Sequence, residues 1–438
     1  GIKYLKFDIA KMPPLLEQTF QLDNLYVETT NKFTIMDMVF PNPEFSYDEH
    51  MAFHPDRAIA AKHRDRVKQP ERLKVVKGIY DNESCINLIR NAPAEWRSKM
   101  GISIKDSKNI SYLTGSFLRL ENLRLFSSKY CLLLEIIYST LWHNPRTKFI
   151  IFHPYVRGSG IMEIGEILAH NGFVAEDGIA TADSYSAEEF ITQAEWQKKY
   201  PQREFYPARF FVVDFDVSET QKSDAVDRWN SDKFGLNSKF FIGAGKIKQS
   251  IDFKDTTKMI IVHKPNTISD YIQIKGRVVR RKSLAALPPD MQTVYLHTLL
   301  SVGNSSSKDY SNSSMKDHSN SSLKNYKPAL EPRKYAKKIA EFDNIRAIEY
   351  NINREAINNY MIDEFKPADI LGALPYKNDT SMFAKDKLPK HINDENFYMD
   401  GYYEDTISEI TKHVKEMEYA KSATIKLAPV TMDECFSD

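Results

Sequence analysis

Between Thr147 and Val302 short apolar runs alternate with segments of helical spacing, and this alternation limits the available folds more than any other feature. The runs are Lys148 to Phe152, Arg209 to Asp214, Lys239 to Gly243, Lys258 to His263 and Thr293 to Leu300, most of them rich in Phe, Ile and Val. Strands separated by helices at this spacing suit βαβ units, with a parallel sheet covered on both faces. Between the first two runs, Ile161, Ile164 and Leu168 share one helical face, and Gly172 suits the helix stop. Ahead of the first run, Ser127 or Ser128 is placed to cap a helix whose apolar face is Cys131, Leu134, Ile137, Tyr138 and Leu141, and Pro145 ends it. The fold class expected is α/β, a doubly wound parallel sheet spanning residues 127–302.

The flanks read differently. Residues 1–126 show no regular alternation and are broken by Pro13-Pro14, by Pro41-Asn42-Pro43 and by a charged stretch from Lys62 to Lys77, so they are expected to be connecting and helical material. The basic side of that stretch, including Arg64, Arg66 and Arg72 against only Asp65 and Glu71, suits either a solvated face or a phosphate backbone. Residues 303–326 hold an imperfect Ser/Asn-rich tandem repeat that offers no core face and is expected to be a disordered loop. Residues 327–438 are read as a helical extension, with Ile339, Phe342, Ile345, Ile348 and Ile352 spaced for one apolar face.

A formal net charge of +1 argues against holding nucleic acid by bulk charge, so such contacts must come from local patches. Cys85, Cys131 and Cys435 lie far apart without Cys-x-x-Cys spacing, which disfavours a disulfide framework or a cysteine zinc site and suits a reducing, intracellular setting. No apolar run approaches the length of a membrane span, so no membrane partner is expected.

Three segments carry chemistry when taken together. Gln273-Ile-Lys-Gly-Arg-Val-Val-Arg280 follows the strand-like run Met259 to Val262 and sets Arg277 and Arg280 three residues apart, on one face of a helix turn. Guanidinium is permanently charged and forks onto phosphate oxygens, so such a pair suits charge developing on a γ-phosphate; Gln273 offers a polar contact and Gly276 permits close approach. The turn Arg157-Gly158-Ser159-Gly160 lets backbone N–H groups meet an anion at a helix N-terminus, although Gly-Ser-Gly also serves as an ordinary strand-to-helix turn. Gly243-Ala244-Gly245-Lys246-Ile247-Lys248 is a strand-to-turn segment in which Ile247 replaces the hydroxyl a P-loop requires. Backbone contact to nucleic acid, with Asp252 near a nucleotide ribose, is the better functional reading there.

These residues resemble the second RecA-like lobe of superfamily 2 helicases, and more narrowly those of nucleocytoplasmic large DNA viruses, a group that includes the poxvirus-type nucleoside triphosphatase I and the early transcription factor small subunit. Cytoplasmic linear plasmids of yeasts carry similar helicases. The resemblance covers roughly residues 127 to 360: Tyr155 to Leu168 with Asn171-Gly172-Phe173 looks like motif IV, Gly243 to Phe253 like motif V, and Gln273 to Arg280 like motif VI. It implies an ATP- and Mg²⁺-dependent helicase or translocase serving cytoplasmic, viral-type transcription. In it Arg277 and Arg280 act as fingers on the γ-phosphate, Gln273, Gly276 and Asp252 line the nucleotide cleft, and the turns at 157–160 and 243–248 grip one strand of DNA or RNA. Gln249-Ser250 stand where the family has Glu-Gly, and neither a Walker A sequence nor a D-E-x-H box is present. The resemblance therefore places the magnesium site and catalytic glutamate in a first lobe outside this sequence and implies that the chain alone does not hydrolyse ATP. The alternative, from a different class, is a non-catalytic module that binds nucleic acid, RNA polymerase or a transcription factor subunit.

Overall fold

A computed structural model describes residues 4–13, 15–16, 36–46, 50, 79, 82–107, 110–213, 217–248, 251–265, 267–280, 283–302, 331 and 338. Its centre is a seven-stranded sheet in the order β1-β9-β8-β4-β7-β6-β5, all of whose pairings are parallel. The strands are β1 (Tyr4–Lys11), β4 (Phe149–Phe152), β5 (Val174–Ala175), β6 (Arg209–Val213), β7 (Phe240–Gly243), β8 (Lys258–Ile261) and β9 (Tyr295–Val302). The runs read as strands in the sequence all become strands, within one to two residues at their ends.

Parallel strands need crossovers, and the helices between these strands supply them. On one face lie α4 (Ser128–His143) and α5 (Ile161–His170); on the other lie α7 (Glu219–Ser231) and α8 (Ile268–Val278). The chain moves one way across the sheet from β1 to β4 and on to β5, and the opposite way from β6 to β7 and from β8 to β9. Under the right-handed crossover rule, a reversal of direction moves the helix to the other face, as found here. Strand side chains divide accordingly. Phe149, Ile151, Phe240, Ile242, Ile260 and Leu299 join the core beneath α4 and α5, whereas Ile150, Phe152, Phe241, Met259, Ile261 and Leu296 join Trp229, Tyr271 and Ile274 on the opposite face. Apolar residues on both sides of each strand are what a fully covered parallel sheet demands.

Helix ends follow local chemistry. Ser127 caps α4, its hydroxyl accepting from the Tyr130 N–H at 3.0 Å, and Ser218 with Gln221 forms a reciprocal capping box at α7. Beneath the sheet, Lys148 Nζ donates to the carbonyls of Trp229 at 2.7 Å, Asp232 at 2.7 Å and Lys254 at 3.2 Å, covering the open C-terminus of α7. Lys239 Nζ donates to Pro145 O at 2.6 Å and Phe234 O at 2.9 Å.

The first 126 residues contain more sheet than the sequence suggested. Strand β1 pairs with β9 along its whole length, from Tyr4 opposite Tyr295 to Lys11 opposite Val302. The strand after Pro288-Pro289 therefore lies inside the sheet, as its apolar residues on both faces require. A hairpin of β2 (Ser103–Ser107) and β3 (Ile110–Thr114) follows α1 (Asn82–Asn91) and α2 (Ala94–Met100). It is tied to α5 by a Lys105 Nζ to Glu166 bond of 2.9 Å and by the Gly115 N–H on His170 Nε2 at 3.0 Å. Met36, Met38, Val39 and Phe40 bury in the core beneath α4 and α5. The Lys62 to Lys77 stretch, the repeat over 303–326 and the apolar helical face from Ile339 to Ile352 lie outside the described residues.

Candidate functional site

The arginine pair is held by two segments that run side by side. Helix α8 starts at the Thr267 cap, whose hydroxyl accepts from the Asp270 N–H at 3.0 Å, and ends at Val278. The short 3₁₀ turn Gly245–Lys248 packs against α8, and further along the Phe253 N–H donates to Arg277 O at 3.1 Å. Phe253 is buried against Trp229 and Phe241. Asn230 grips the same strip from the other side, its amide donating to Asp252 O at 2.9 Å and its Oδ1 accepting from the Lys254 N–H at 2.8 Å.

This stitching brings Asp252, Arg277 and Arg280 together. The sequence placed both arginines on one helix turn, but the helix stops at Val278, where two β-branched residues, Val278 and Val279, meet a basic run, and only Arg277 is helical. Arg280 folds back instead: its Nε donates to Gly276 O at 2.9 Å and its guanidinium forms an ion pair with Asp252. Partial burial, then the neighbouring Arg280 charge, pushes the Arg277 guanidinium below its ordinary range, with Asp252 opposing. Both members of the ion pair are exposed, as is Gln273 on α8. A Cβ at Gly276 would meet nothing within 4 Å among the described residues, so their packing does not dictate that glycine.

The two turns stand elsewhere. Helix α8 is 11 residues long, which at 1.5 Å per residue separates its ends by roughly 15 Å. The turns lie at the C-terminal ends of neighbouring strands β4 and β7, linked by the His153 N–H on Gly243 O at 3.2 Å. In the first turn the expected amide donors are engaged within the chain: Gly160 N–H meets Arg157 O at 3.1 Å, Ile161 N–H meets Tyr155 O at 3.0 Å, and Met162 N–H meets Val156 O at 3.2 Å. These three therefore do not point at an anion, and the turn is held by its own carbonyls. Gly158 takes a left-handed φ of 66°. A Cβ at Gly160 would lie 2.3 Å from Tyr155 O. Ser159 is buried, leaving Arg157 as the exposed side chain.

In the second turn, a Cβ at Gly243 would collide with Ile247 Cγ2 at 2.3 Å, whereas one at Gly245 would meet nothing within 4 Å. Ala244 is buried. Lys246 Nζ donates to Val217 O at 2.9 Å, an orientation unlike that of a P-loop lysine. Lys248 closes the turn, and Gln249-Ser250 lie outside the described residues.

One cluster was missed by sequence reading. Asp37, fully buried, accepts from Lys129 Nζ at 2.8 Å on Oδ1, while His263 Nδ1 at 2.7 Å and His153 Nε2 at 3.2 Å both face Oδ2. Lys129 also reaches both Glu331 oxygens at 3.0 Å, and Glu331 accepts from the Ser301 N–H at 2.6 Å. Burial pushes the Asp37 carboxyl up, but His263 and Lys129 outweigh it and hold the group well below the usual carboxylate range. Burial likewise pulls Lys129 down, and Asp37 and Glu331 more than restore it. Burial keeps His263 below an ordinary histidine, against the pull of Asp37. A signal was present: the runs Phe149 to Phe152 and Met259 to Val262 each end in a histidine.

No family model matches the chain. Among curated proteins it is 24% identical over 342 residues to the early transcription factor large subunit homolog of African swine fever virus, strain Badajoz, covering 76% of this chain and 26% of the relative. The protein of that name from a Malawi tick isolate is 24% identical over 379 residues, covering 82% of this chain and 30% of the relative. These relatives bear the name of the large subunit, whereas the sequence motifs pointed to the small subunit and the triphosphatase. The C-terminal part of the Fun30 ATPase domain aligns at 10% identity over 68% of this chain and 85% of that one, with a TM-score of 0.35. The Pyrococcus furiosus Hef helicase domain aligns at 13% identity over 69% and 56%, with a TM-score of 0.30. Likenesses at these scores carry no argument, and the doubly wound architecture rests on the strand order itself. The chain spans about a quarter to three tenths of the length of its curated relatives, and over that part it is similar to viral proteins named as early transcription factor large subunit homologues.

Proposed function

We propose that this chain forms the second RecA-like lobe of a nucleic-acid-dependent ATPase that acts in viral early transcription, in the cytoplasmic setting of a large DNA virus. The observation that carries the reading is the cluster of the half-buried Arg277 with the exposed Arg280 and Asp252 where α8 meets the strip after β7. A solvent-exposed ion pair contributes about 0–1 kcal/mol, so Arg280 can exchange Asp252 for a phosphate at little cost. Arg277 is the more buried of the two.

In this reading ATP and Mg²⁺ sit on a first lobe supplied by the rest of the protein, and closure brings both guanidinium groups to the γ-phosphate, where they offset developing charge. Gln273 and the bare surface at Gly276 line the approach. Arg157 and the turn around Gly245 and Lys246 face a nucleic-acid strand at the other end of α8, with RNA polymerase or another transcription factor subunit as a further partner. The name borne by the relatives supports the transcriptional setting. Among the described residues no helix is long and apolar enough to cross a membrane.

The test is nucleic-acid-stimulated ATP hydrolysis by the longer parent protein. Arg277→Ala should lower turnover by about 10³- to 10⁵-fold while leaving ATP binding largely intact. A parent protein that binds nucleic acid or polymerase but never turns over ATP would favour a non-catalytic binding module. Lys246→Ala should leave ATP binding unchanged, since its ammonium is turned to Val217 O.

A further inference from the structure

Where β4 and β8 end side by side, three ligand-type atoms converge: His153 Nε2, His263 Nδ1 and a carboxylate oxygen of Asp37 all lie within 4.8 Å of one another. We propose that these three residues hold a divalent transition metal, zinc by the donor set, as a structural clamp. Bonds of roughly 2.0–2.1 Å at tetrahedral angles put neighbouring ligand atoms about 3.3 Å apart. The edges from Asp37 Oδ2 measure 3.2 Å to His153 and 2.7 Å to His263, and the third lies within 4.8 Å.

The surrounding groups fit the same assignment. Lys129 Nζ holds Asp37 Oδ1 at 2.8 Å, which leaves Oδ2 facing the imidazoles. The Tyr155 backbone faces the other nitrogen of that ring, its N–H 3.2 Å and its O 3.3 Å from His153 Nδ1, and so holds the imidazole with Nε2 turned to Asp37. The Tyr155 ring covers both histidines, with centroids 5.7 and 5.4 Å from theirs. Two imidazoles and one carboxylate suit zinc or iron. All three side chains are at most 1% exposed, so the fourth ligand would be a buried water or protein atom and not a substrate, which makes the role structural.

Such a centre would join a segment from the first 40 residues to the two strands whose following loops lead to Arg157 and into α8. Apart from the histidines that follow the two strand runs, sequence spacing gave no hint of it, because Asp37 lies 116 residues from His153 and 226 from His263.

The experiment uses the untagged 438-residue chain, purified without chelator and assayed for metal by mass spectrometry, by Co²⁺ replacement and by thermal unfolding with zinc or with chelator. The proposal expects a single zinc equivalent, tetrahedral ligand-field bands on Co²⁺ loading, and a Tm lowered by chelator and restored by zinc. His153→Gln and His263→Gln should each abolish the cobalt bands; if either variant fails to fold, the metal content and Tm response of the wild-type chain decide alone. A metal-free chain whose Tm ignores both zinc and chelator would overturn the proposal and leave a purely hydrogen-bonded network. Cobalt bands unchanged in both variants would overturn it as well.

Discussion

Lys129 and Arg280 each pair with an aspartate, and the two pairs sit in opposite surroundings. Lys129 and Asp37 are sealed in the protein with Glu331, and further partners come from β9 and the ends of β4 and β8. Arg280 and Asp252 lie in the open, anchored by one backbone carbonyl. The same chemistry therefore does two jobs. A sealed pair is costly to break and fixes how segments meet, whereas a wet pair adds little to stability and can trade its partner for a ligand.

The largest stability effect should come from the sealed cluster. Lys129→Met leaves two carboxylates buried without their cation and should cost about 3–5 kcal/mol in denaturant unfolding. A loss under ~1 kcal/mol would mean that water reaches Asp37 and that the contrast fails. Next comes Lys148→Met, which strips the donor from three carbonyls beneath the sheet and should cost about 1–3 kcal/mol.

The pH dependence sharpens the same contrast. Burial pushes the Lys148 ammonium down to about 8 and that of Lys239 to about 7. The unfolded chain, with lysines near about 10.4, then binds more protons than the folded one from roughly pH 7 upward, so stability rises with pH across that window. Thermal unfolding between about pH 7 and about pH 9 should show Tm climbing in wild type and a flatter profile in Lys239→Met. A falling wild-type Tm would contradict the assignment. The smallest effect belongs to the wet region: Gly276→Ala should raise stability by about 0.5–1 kcal/mol, because a helical glycine is replaced where a Cβ meets nothing. If Gly276 gives room to a nucleotide, the same variant should lose turnover while gaining stability.

Much of this architecture was legible along the chain. The apolar runs around Ile150, Phe211, Ile242, Ile260 and Leu299 became strands, and the helix read at Ile161 to His170 has those bounds, because strand and helix periodicity are local properties of consecutive residues. Strand β1 escaped notice because Tyr4-Leu-Lys-Phe-Asp-Ile gains its meaning only by pairing with β9 almost 300 residues later. Asp37 is an acid among Met36, Met38 and Val39, and nothing nearby reveals that its partners come from Lys129, His153 and His263. At the candidate site, the residue types around Gln273 to Arg280 were informative, but where α8 would stop was not, so the fold-back of Arg280 onto Gly276 O appeared only in three dimensions. In the turn Arg157 to Gly160 the engagement of the Gly160 amide was hidden for the same reason: a Gly-rich turn looks identical in sequence whether its N–H groups face a ligand or its own carbonyls.

The central claim is that the exposed arginine serves function and not stability. The measurement that tests it most directly is ATP turnover and Tm in the same samples of the longer parent protein, wild type against Arg280→Ala. The account predicts a Tm that barely moves and turnover lower by about 10³- to 10⁵-fold. Turnover that survives the substitution, or a fold that collapses with it, would contradict it.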